Sequence, residues 1–223
     1  MQQPDSPKHL GRRNPRLTRD SLIAAGTDVF AEHGFDGATV ERIARRARVN
    51  KAMISYHFGG KASLYRAILL STFAPTLGRL KTLQESDAAA DVQLREFVKV
   101  FSDMVAQRPS LPVMILREVL SGGRHLDKKT LPCFLAVFAA VREIVEKGTR
   151  EGTFRPVDPL LTHLSLVGSL VFFFATAPLR ERLFAEGWVP RNPPAASAYV
   201  LHVQDLMARA LAADPAPPGN EVR

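Results

Sequence analysis

The chain has 223 residues, of which 46% are hydrophobic, so it is long enough to bury a substantial core in one or two compact units. Its net charge is +8, and its single cysteine, Cys133, excludes an intramolecular disulfide and a zinc finger. The N-terminus has no apolar signal segment, and the apolar run 165–179 is shorter than the ~20 residues of a membrane helix, so we expect a cytoplasmic protein without a membrane partner.

The positive charge is concentrated at the N-terminus. Residues 1–66 hold 12 Lys and Arg against 6 Asp and Glu, whereas the remainder holds 18 against 16. A field of this kind attracts a polyanion such as nucleic acid. Residues 1–16 also hold three prolines, so we predict a disordered basic arm there. Whether this arm enters a DNA groove or is a solvated tail stays open.

The first predicted helix begins near Thr18, a suitable N-cap, and runs to about His33. Gly34 is expected to end it because glycine readily adopts the left-handed conformation of a helix terminus. Gly26 falls on the apolar face of this helix. We therefore expect close contact at Gly26 with another helix, the helix-turn-helix described next.

Two short helices are predicted within the run TVERIARRARVNKAMISYHFGGK, residues 39–61. Apolar residues recur at helical spacing over 40–47, and Thr39 is a candidate N-cap for that helix. After a tight break at Arg48, Asn50 is a second N-cap candidate, and residues 51–58 form another short helix. Two short helices joined in this way indicate a helix-turn-helix, although a pair of solvated helices has the same pattern.

The run VERIARRARVNKAMISYHFGGKASLY resembles the DNA-binding region of the TetR family of transcriptional regulators. The preceding RDSLIAAGTDVFAEHGFDGAT is similar to the first helix of that region and the loop after it. The resemblance covers about Arg19 to Leu70, and the later REGTFRPVDP is also similar to family members. Within the family, NKAMISYHFGGKASLY is most similar to CecR-like members.

The resemblance implies an all-α fold and a role for each matching position. The domains would be a helix-turn-helix unit at 17–62, a helical effector-binding and dimerisation body at 63–213, and a disordered tail at 214–223. Residues implied to contact phosphates are Thr39, Ser55, Tyr56 and Lys61, and those implied to face bases are Lys51, Ala52 and Met53. His57 is expected to pack locally. Arg48 stands where the family usually has Gly, which strains the turn or adds a phosphate contact, and Ser55 where Tyr is common.

Helical spacing continues through the rest of the chain, punctuated by proline and glycine. A helix from Lys61 to about Leu83 is expected to kink or break at Pro75. Further helices are predicted at 91–107, 111–120, 126–151, 158–177, 178–184 and 195–212. The sequence shows no strand pattern and no internal repeat.

The predicted helix 158–177 is apolar around most of its circumference, so it is either central to the monomer or in contact with a second subunit. A helix-turn-helix protein usually presents two recognition helices to half-sites ~34 Å apart, which requires a dimer. In the resembled family the last two helices of each subunit form the interface. We therefore expect a homodimer on a palindromic, double-stranded operator.

The resemblance also implies a small-molecule effector held among the middle helices. Candidate ligand-binding residues are Phe101, Met104, Arg117, Phe138, Arg142, His163 and Phe172. Ordinary core packing explains the apolar members of this set equally well, and salt bridges with Glu118, Glu143 or Glu146 explain the two arginines.

The leading interpretation is a transcriptional regulator, and specifically a repressor that a largely apolar effector releases from its operator. An all-helical enzyme lacks support because the sequence has no phosphate-binding glycine loop, no metal-ligand spacing and no triad signature. We accordingly predict no catalytic residue, no metal and no cofactor. A non-specific nucleic-acid-binding protein fits the charge but gives the long, nearly neutral body no purpose.

Overall fold

The computed structural model describes residues 15–189, 192 and 194–213, and ten helices lie within these ranges. They are α1 (Pro15–Gly37), α2 (Val40–Ala47), α3 (Ala52–Phe58), α4 (Lys61–Gln84), α5 (Ala90–Ala106), α6 (Leu111–Leu120), α7 (Leu131–Arg150), α8 (Pro159–Ala175), α9 (Ala177–Ala185) and α10 (Ala196–Leu211). The predicted all-α fold is confirmed. The predicted tail 214–223 and residues 1–14 of the predicted arm lie outside the described residues.

Helix α1 begins earlier than predicted. Its first residue is Pro15, so Pro15 and Arg16 belong to the helix and not to the arm. Thr18 is a buried residue of the first turn, and the prediction that it is the N-cap is wrong. Proline suits the first helical position because its φ is already helical and it has no N–H to satisfy. The backbone breaks at Gly34, with φ 69°, as predicted.

Gly26 contacts α4, and the prediction that it faces the helix-turn-helix is wrong. A Cβ atom at Gly26 would lie 2.9 Å from Ile68 Cδ1 and 3.3 Å from Leu64 Cδ2. The apolar spacing of α1 identifies the buried face correctly, but spacing alone does not say which helix covers that face. The N-terminal helices α1–α3 are thus supported by the first half of α4.

Helix α4 continues through Pro75, so the predicted break does not occur. Proline removes one backbone hydrogen bond from a helix. Pro75 is exposed, while Phe73 and Thr76 on either side of it are buried and hold both halves of α4 on the core.

Helix α7 begins at Leu131, five residues later than predicted. Residues 126–130 instead form a turn around Asp127, whose carboxylate accepts hydrogen bonds from the N–H groups of Lys129 (2.9 Å) and Thr130 (3.0 Å) and pairs with Arg66. These bonds, chiefly the one from Lys129, lower the pKa of Asp127 to about 2. A short aspartate side chain that bonds the backbone two residues on favours a turn over a helix.

The body is a bundle in which α5 contacts α4, α7, α8 and α10. Helix α6 contacts α1 on one side and α8 on the other, so it joins the N-terminal helices to the bundle. One apolar core runs from Leu22 in α1 to Leu211 in α10. The division at residues 62 and 63 stays a prediction, and it falls within the first turn of α4.

Helix α9 follows α8 after a bend of 50° at Thr176, so the helix predicted at 178–184 begins one residue earlier, at Ala177. No single helix in the described part of the chain is both long and apolar enough to cross a membrane. Among the helices that the structure describes, the bent pair of α8 and α9, taken together, meets that test of length and composition.

Candidate nucleic-acid interface

Helix α2 has a defined start and a strained end. Thr39 Oγ1 accepts a hydrogen bond of 3.2 Å from the Arg42 N–H, so the predicted N-cap is present. Arg48 ends the helix in the left-handed conformation, with φ 55° and ψ 42°. A residue with a side chain costs about 1–2 kcal/mol in this conformation. Arginine in place of glycine therefore strains the turn between α2 and α3.

Helix α3 begins at Ala52, one residue later than predicted. Asn50 Oδ1 accepts a hydrogen bond of 2.8 Å from the Ala52 N–H, so its side chain satisfies one of the free donors at the helix start. Ile54 is fully buried, and Phe58 is half-buried with the Arg19 guanidinium 5.4 Å from its ring centroid. These apolar contacts fix which face of α3 points outward.

The outward face of α3 is small and polar. Ala52, Ser55 and Tyr56 are exposed, and 76% of the Tyr56 surface is open to solvent. Small residues let the backbone of a helix approach base edges in a major groove. Met53 is half-buried, and His57 packs edge-on against the Tyr56 ring with centroids 5.0 Å apart.

Lys51 directly precedes α3 and forms an ion pair with Glu41 of α2, with Nζ and Oε1 3.4 Å apart. A hydrogen bond with its own backbone N–H, and then this lysine, lowers the pKa of Glu41. Both side chains are exposed, so the pair contributes little to stability. Lys51 can consequently exchange Glu41 for another acceptor at small cost.

Two basic side chains of α2, those of Arg42 and Arg46, are held on α1. Arg46 Nη1 lies 2.6 Å from Glu32 Oε1 and 3.8 Å from Asp28 Oδ2, and the bond with Glu32 raises the pKa of Arg46. Arg42 Nη1 lies 3.0 Å from His33 Nε2. These contacts fix α2 relative to α1, so α3 is presented on a rigid base.

Lys61 has a structural role that its sequence position did not indicate. Its ammonium donates to the carbonyls of Phe35 (2.9 Å) and Ala38 (3.0 Å) and lies 4.4 Å from the Phe35 ring centroid. A cation at the N-terminus of a helix is unfavourable, and bonds to carbonyl oxygens compensate for that position. Lys61 thereby ties the start of α4 to the connection between α1 and α2.

A second feature is an apolar cavity of about 200 Å³ in the body. It lies between α4, α5, α6, α7 and α8. Its lining residues are Phe73, Phe101, Ile115, Leu116, Val119, Phe134, Val137, His163, Leu164, Val167, Gly168 and Val171. His163 is the one polar side chain in this lining, and burial lowers its pKa.

Helices α8 and α10 also present apolar side chains to solvent. The exposed fractions are 64% for Leu161 and 63% for Phe172 in α8, and 66% for Leu201 and 49% for Leu206 in α10. The α8 members share one helix face with Leu164 and Gly168, which are exposed too. Contiguous apolar surface of this kind is typical of interaction sites.

Comparisons with known proteins identify the chain. The family described as "Bacterial regulatory proteins, tetR family" matches residues 22–68, and "Tetracyclin repressor-like, C-terminal domain" matches residues 91–207. The HTH-type transcriptional repressor NicS of Pseudomonas putida is 31% identical over 160 residues, which cover 70% of this chain and 75% of NicS. The chain belongs to the TetR family.

Other TetR-type regulators are more distant. The regulator RutR of Escherichia coli K12 is 25% identical over 68% of this chain and 72% of its own length. The hemolysin II transcriptional regulator HlyIIR has the same fold, with a TM-score of 0.64 and 20% identity over 90% of this chain and 100% of that one. FadR of Bacillus subtilis, solved in complex with stearoyl-CoA, has a TM-score of 0.66 and 17% sequence identity. That match covers 86% of this chain and 98% of the FadR chain.

Membership of the TetR family makes this protein a ligand-responsive DNA-binding transcriptional regulator. Regulators of this family bind DNA operators and small-molecule effectors and act as dimers. The predicted family, fold class and regulatory function are thereby confirmed, and the CecR-like subgroup stays a prediction.

The cavity of this TetR-family chain contains only two of the seven predicted ligand-binding residues, Phe101 and His163. Phe138 lies beside His163 with ring centroids 5.4 Å apart, outside the lining. The remaining four have other surroundings: Met104 is buried in the core, Arg117 bonds the Glu32 carbonyl, Arg142 pairs with Glu146, and Phe172 is exposed. Helical spacing alone did not separate cavity walls from core or surface.

Sequence reasoning missed a buried polar cluster where α6 meets α1 and α4. The Glu118 carboxylate is buried and accepts from Tyr65 Oη at 2.7 Å and from the His125 backbone N–H at 2.9 Å. His125 Nδ1 lies 3.0 Å from the same carboxylate, and its Nε2 lies 3.5 Å from Asp36 Oδ1. The available signal was the glutamate itself, on the apolar helix LPVMILREVL.

Proposed function

We propose that this TetR-family protein is a homodimeric repressor that binds a palindromic operator through its two α3 helices. A small, largely apolar effector binds in the cavity between α4 and α8 and releases the repressor from its operator. Because its target is chromosomal DNA, it acts in the cytoplasm.

The outward face of α3 carries this proposal. Lys51, Ala52 and Met53, at the start of α3, are assigned to base edges, where an N-terminal turn of a recognition helix reaches the major groove. Ser55 and Tyr56 are assigned to phosphates because hydroxyl groups donate to phosphate oxygens. Both are exposed, which leaves their hydroxyl groups accessible.

Five further positions complete this interface. Thr39 caps α2, and Asn50 Oδ1 accepts the Ala52 N–H at the start of α3, so both residues orient these helices as well as border the DNA. Lys61 already donates to two carbonyls and has one N–H left for a phosphate oxygen. Arg48 and His57 are assigned to the border of the same surface.

The dimer is assigned to the exposed apolar faces of α8 and α10. Two recognition helices must stand ~34 Å apart to read successive half-sites on one side of the duplex. A twofold interface far from α3 sets that distance through the rigid body between them. The exposed leucines of α8 and α10 supply the apolar surface that such an interface buries.

Helix α6 connects the cavity to the DNA-binding helices. Ile115, Leu116 and Val119 line the cavity, while Glu118 on another side of α6 accepts the bond from Tyr65 of α4. Ser110, just before α6, bonds Asp28 of α1. An effector that displaces α6 therefore displaces α1 and α4, and the spacing of the two α3 helices changes.

The decisive experiment recovers bound fragments from a genomic DNA pool and then measures retention of the strongest fragment in gel shifts. We expect one fragment with a palindrome to survive a large excess of random DNA, at moderate salt. The non-specific alternative predicts equal competition by random DNA, and that result would overturn the proposal.

A further inference from the structure

The apolar cavity opens to solvent through a gap between α6 and α8. Three of its lining residues are exposed in the single subunit: Val119 on α6, and Leu164 and Gly168 on α8. The exposed fractions are 57% for Val119 and 58% for Leu164, so the rim of this mouth is apolar as well as open. An apolar effector that fills the cavity as far as the rim would keep part of its own surface in water, which weakens its binding to one isolated subunit.

The α8 side of the mouth belongs to the face assigned to the dimer. Leu161, Leu164, Gly168 and Phe172 follow one another at intervals of three or four residues, so they lie along one side of α8. A partner helix that packs on this side crosses directly over Leu164 and Gly168. Gly168 favours such an approach, because it has no side chain and a Cβ atom placed there would meet nothing within 4 Å.

We infer that the partner subunit closes the mouth of the cavity, so that each effector site is complete only in the dimer. The inference rests on the proposed function, because it uses the interface and the effector cavity assigned there. Helices α6 and α8 pack against each other, and the axes of packed helices lie about 8–10 Å apart. Since a helix with its side chains is about 10–12 Å wide, a partner helix on the α8 face extends over the gap and reaches Val119.

Closure of the mouth connects effector binding to dimerisation. An effector in a closed cavity contacts the partner as well as its own subunit, so it binds the dimer more tightly than the monomer. By thermodynamic linkage, the same effector strengthens the dimer by the same factor. The effector enters and leaves while the interface is open, so its exchange depends on how often the two subunits separate at α8.

The test measures how fast a thiol at the mouth reacts with a bulky maleimide in the full-length protein. Val119→Cys is compared with Val92→Cys on α5, which replaces the same residue type at a site of similar exposure in the single subunit, 51% against 57%. Both variants also carry Cys133→Ala, because Cys133 is the only natural thiol. In the dimer we expect the thiol of Val119→Cys to react at least about tenfold more slowly, since a covered thiol reacts only while the interface is open.

Adding Leu201→Glu on α10 assigns the protection to the partner. Leu201 lies outside the cavity lining, and burying its glutamate replacement without a partner should separate the subunits. The thiols of Val119→Cys and Val92→Cys should then react at rates within about twofold of each other, because their exposure in one subunit is similar. Leu206→Glu, at another exposed position of α10, replaces Leu201→Glu if that variant fails to fold.

Light scattering and operator retention separate this inference from the proposed function. A dimer that retains the operator but labels Val119→Cys as fast as Val92→Cys would refute only the closure of the mouth. Slow labelling of Val119→Cys that persists in the monomer would mean that one subunit covers the mouth by itself, and would refute it too. A Leu201→Glu variant that stays dimeric would contradict the assigned interface and this inference with it. A protein that is monomeric without Leu201→Glu would overturn the proposed dimer itself.

Discussion

Tyr65 of α4 donates a hydrogen bond of 2.7 Å to Glu118 of α6, two residues 53 positions apart in the chain. Both side chains are buried, and burial together with this carboxylate raises the pKa of Tyr65. The phenol therefore stays protonated and keeps donating across the physiological pH range. This bond joins the helix that supports α1–α3 to the helix that lines the cavity.

Removing the Tyr65 hydroxyl should destabilise the protein. We expect Tyr65→Phe to lower the free energy of unfolding by about 1.5–3 kcal/mol, since a buried carboxylate loses one of its donors. Urea unfolding measures this change. Tyr199→Phe is the matched control, because the Tyr199 hydroxyl makes only a longer bond of 3.3 Å to the Ser169 carbonyl. Equal losses in the two variants would mean that the Glu118 bond has no special weight.

The part of this molecule that the sequence predicts is the part stabilised by local contacts. Thr39 was recognised as the cap of α2 because the N–H group it bonds lies three residues away. Asn50 bonds the N–H of Ala52 two residues on, although the N-cap residue of α3 is Lys51 and not Asn50. The partners of Glu118 were not predicted, because Tyr65 comes from a distant helix and helical spacing carries no information about it. Arg142 pairs with Glu146 one helical turn away, which is the alternative to a ligand-binding role that the sequence already offered for it.

Lys51 should control base preference. We expect Lys51→Ala to reduce discrimination between the operator and point-mutated operators by about 1–3 kcal/mol, or roughly five- to 150-fold, with little loss of affinity for random DNA. Lys99→Ala removes an equal charge from an exposed site on α5 and should leave discrimination intact. Gel-shift titrations against a panel of operator variants measure both. Parallel loss for operator and random DNA would assign Lys51 to a phosphate instead.

Gly148 should tolerate no side chain. A Cβ there would lie 2.6 Å from Phe154 Cγ and Cε2 and closer still to Cδ2, so Gly148→Ala forces the buried Phe154 ring out of place. We expect it to lose about 3 kcal/mol or more of stability. Gly78→Ala, at a helical position with nothing within 4 Å, should gain about 0.5–1 kcal/mol. Thermal unfolding of the two variants measures this difference. Similar melting temperatures for Gly148→Ala and Gly78→Ala would contradict the close contact between Gly148 and the Phe154 ring.

Acid should weaken the fold through His163. Burial lowers the pKa of His163 below the ordinary value of 6.5, so the unfolded chain takes up a proton at a higher pH than the folded one. The free energy of unfolding is therefore unaffected by this titration above pH 6.5. It falls as the pH drops from 6.5 through the lower pKa of His163 in the folded state. We expect His163→Phe to lose less stability than the wild type between pH 7.5 and 5.5, measured by urea unfolding. Parallel losses would show that His163 has the same pKa in both states.

The exposed apolar faces of α8 and α10 should hold the dimer. We expect the double variant Leu161→Glu, Leu201→Glu to be monomeric by light scattering at micromolar concentration, because two carboxylates per subunit would be buried without partners in the interface. Operator affinity should fall with it, since one α3 helix alone reads only a half-site. Val92→Glu, at a 51% exposed position on α5, is the control and should remain dimeric with full affinity. A dimeric double variant would place the twofold axis on another surface and would remove the basis for the half-site spacing proposed above.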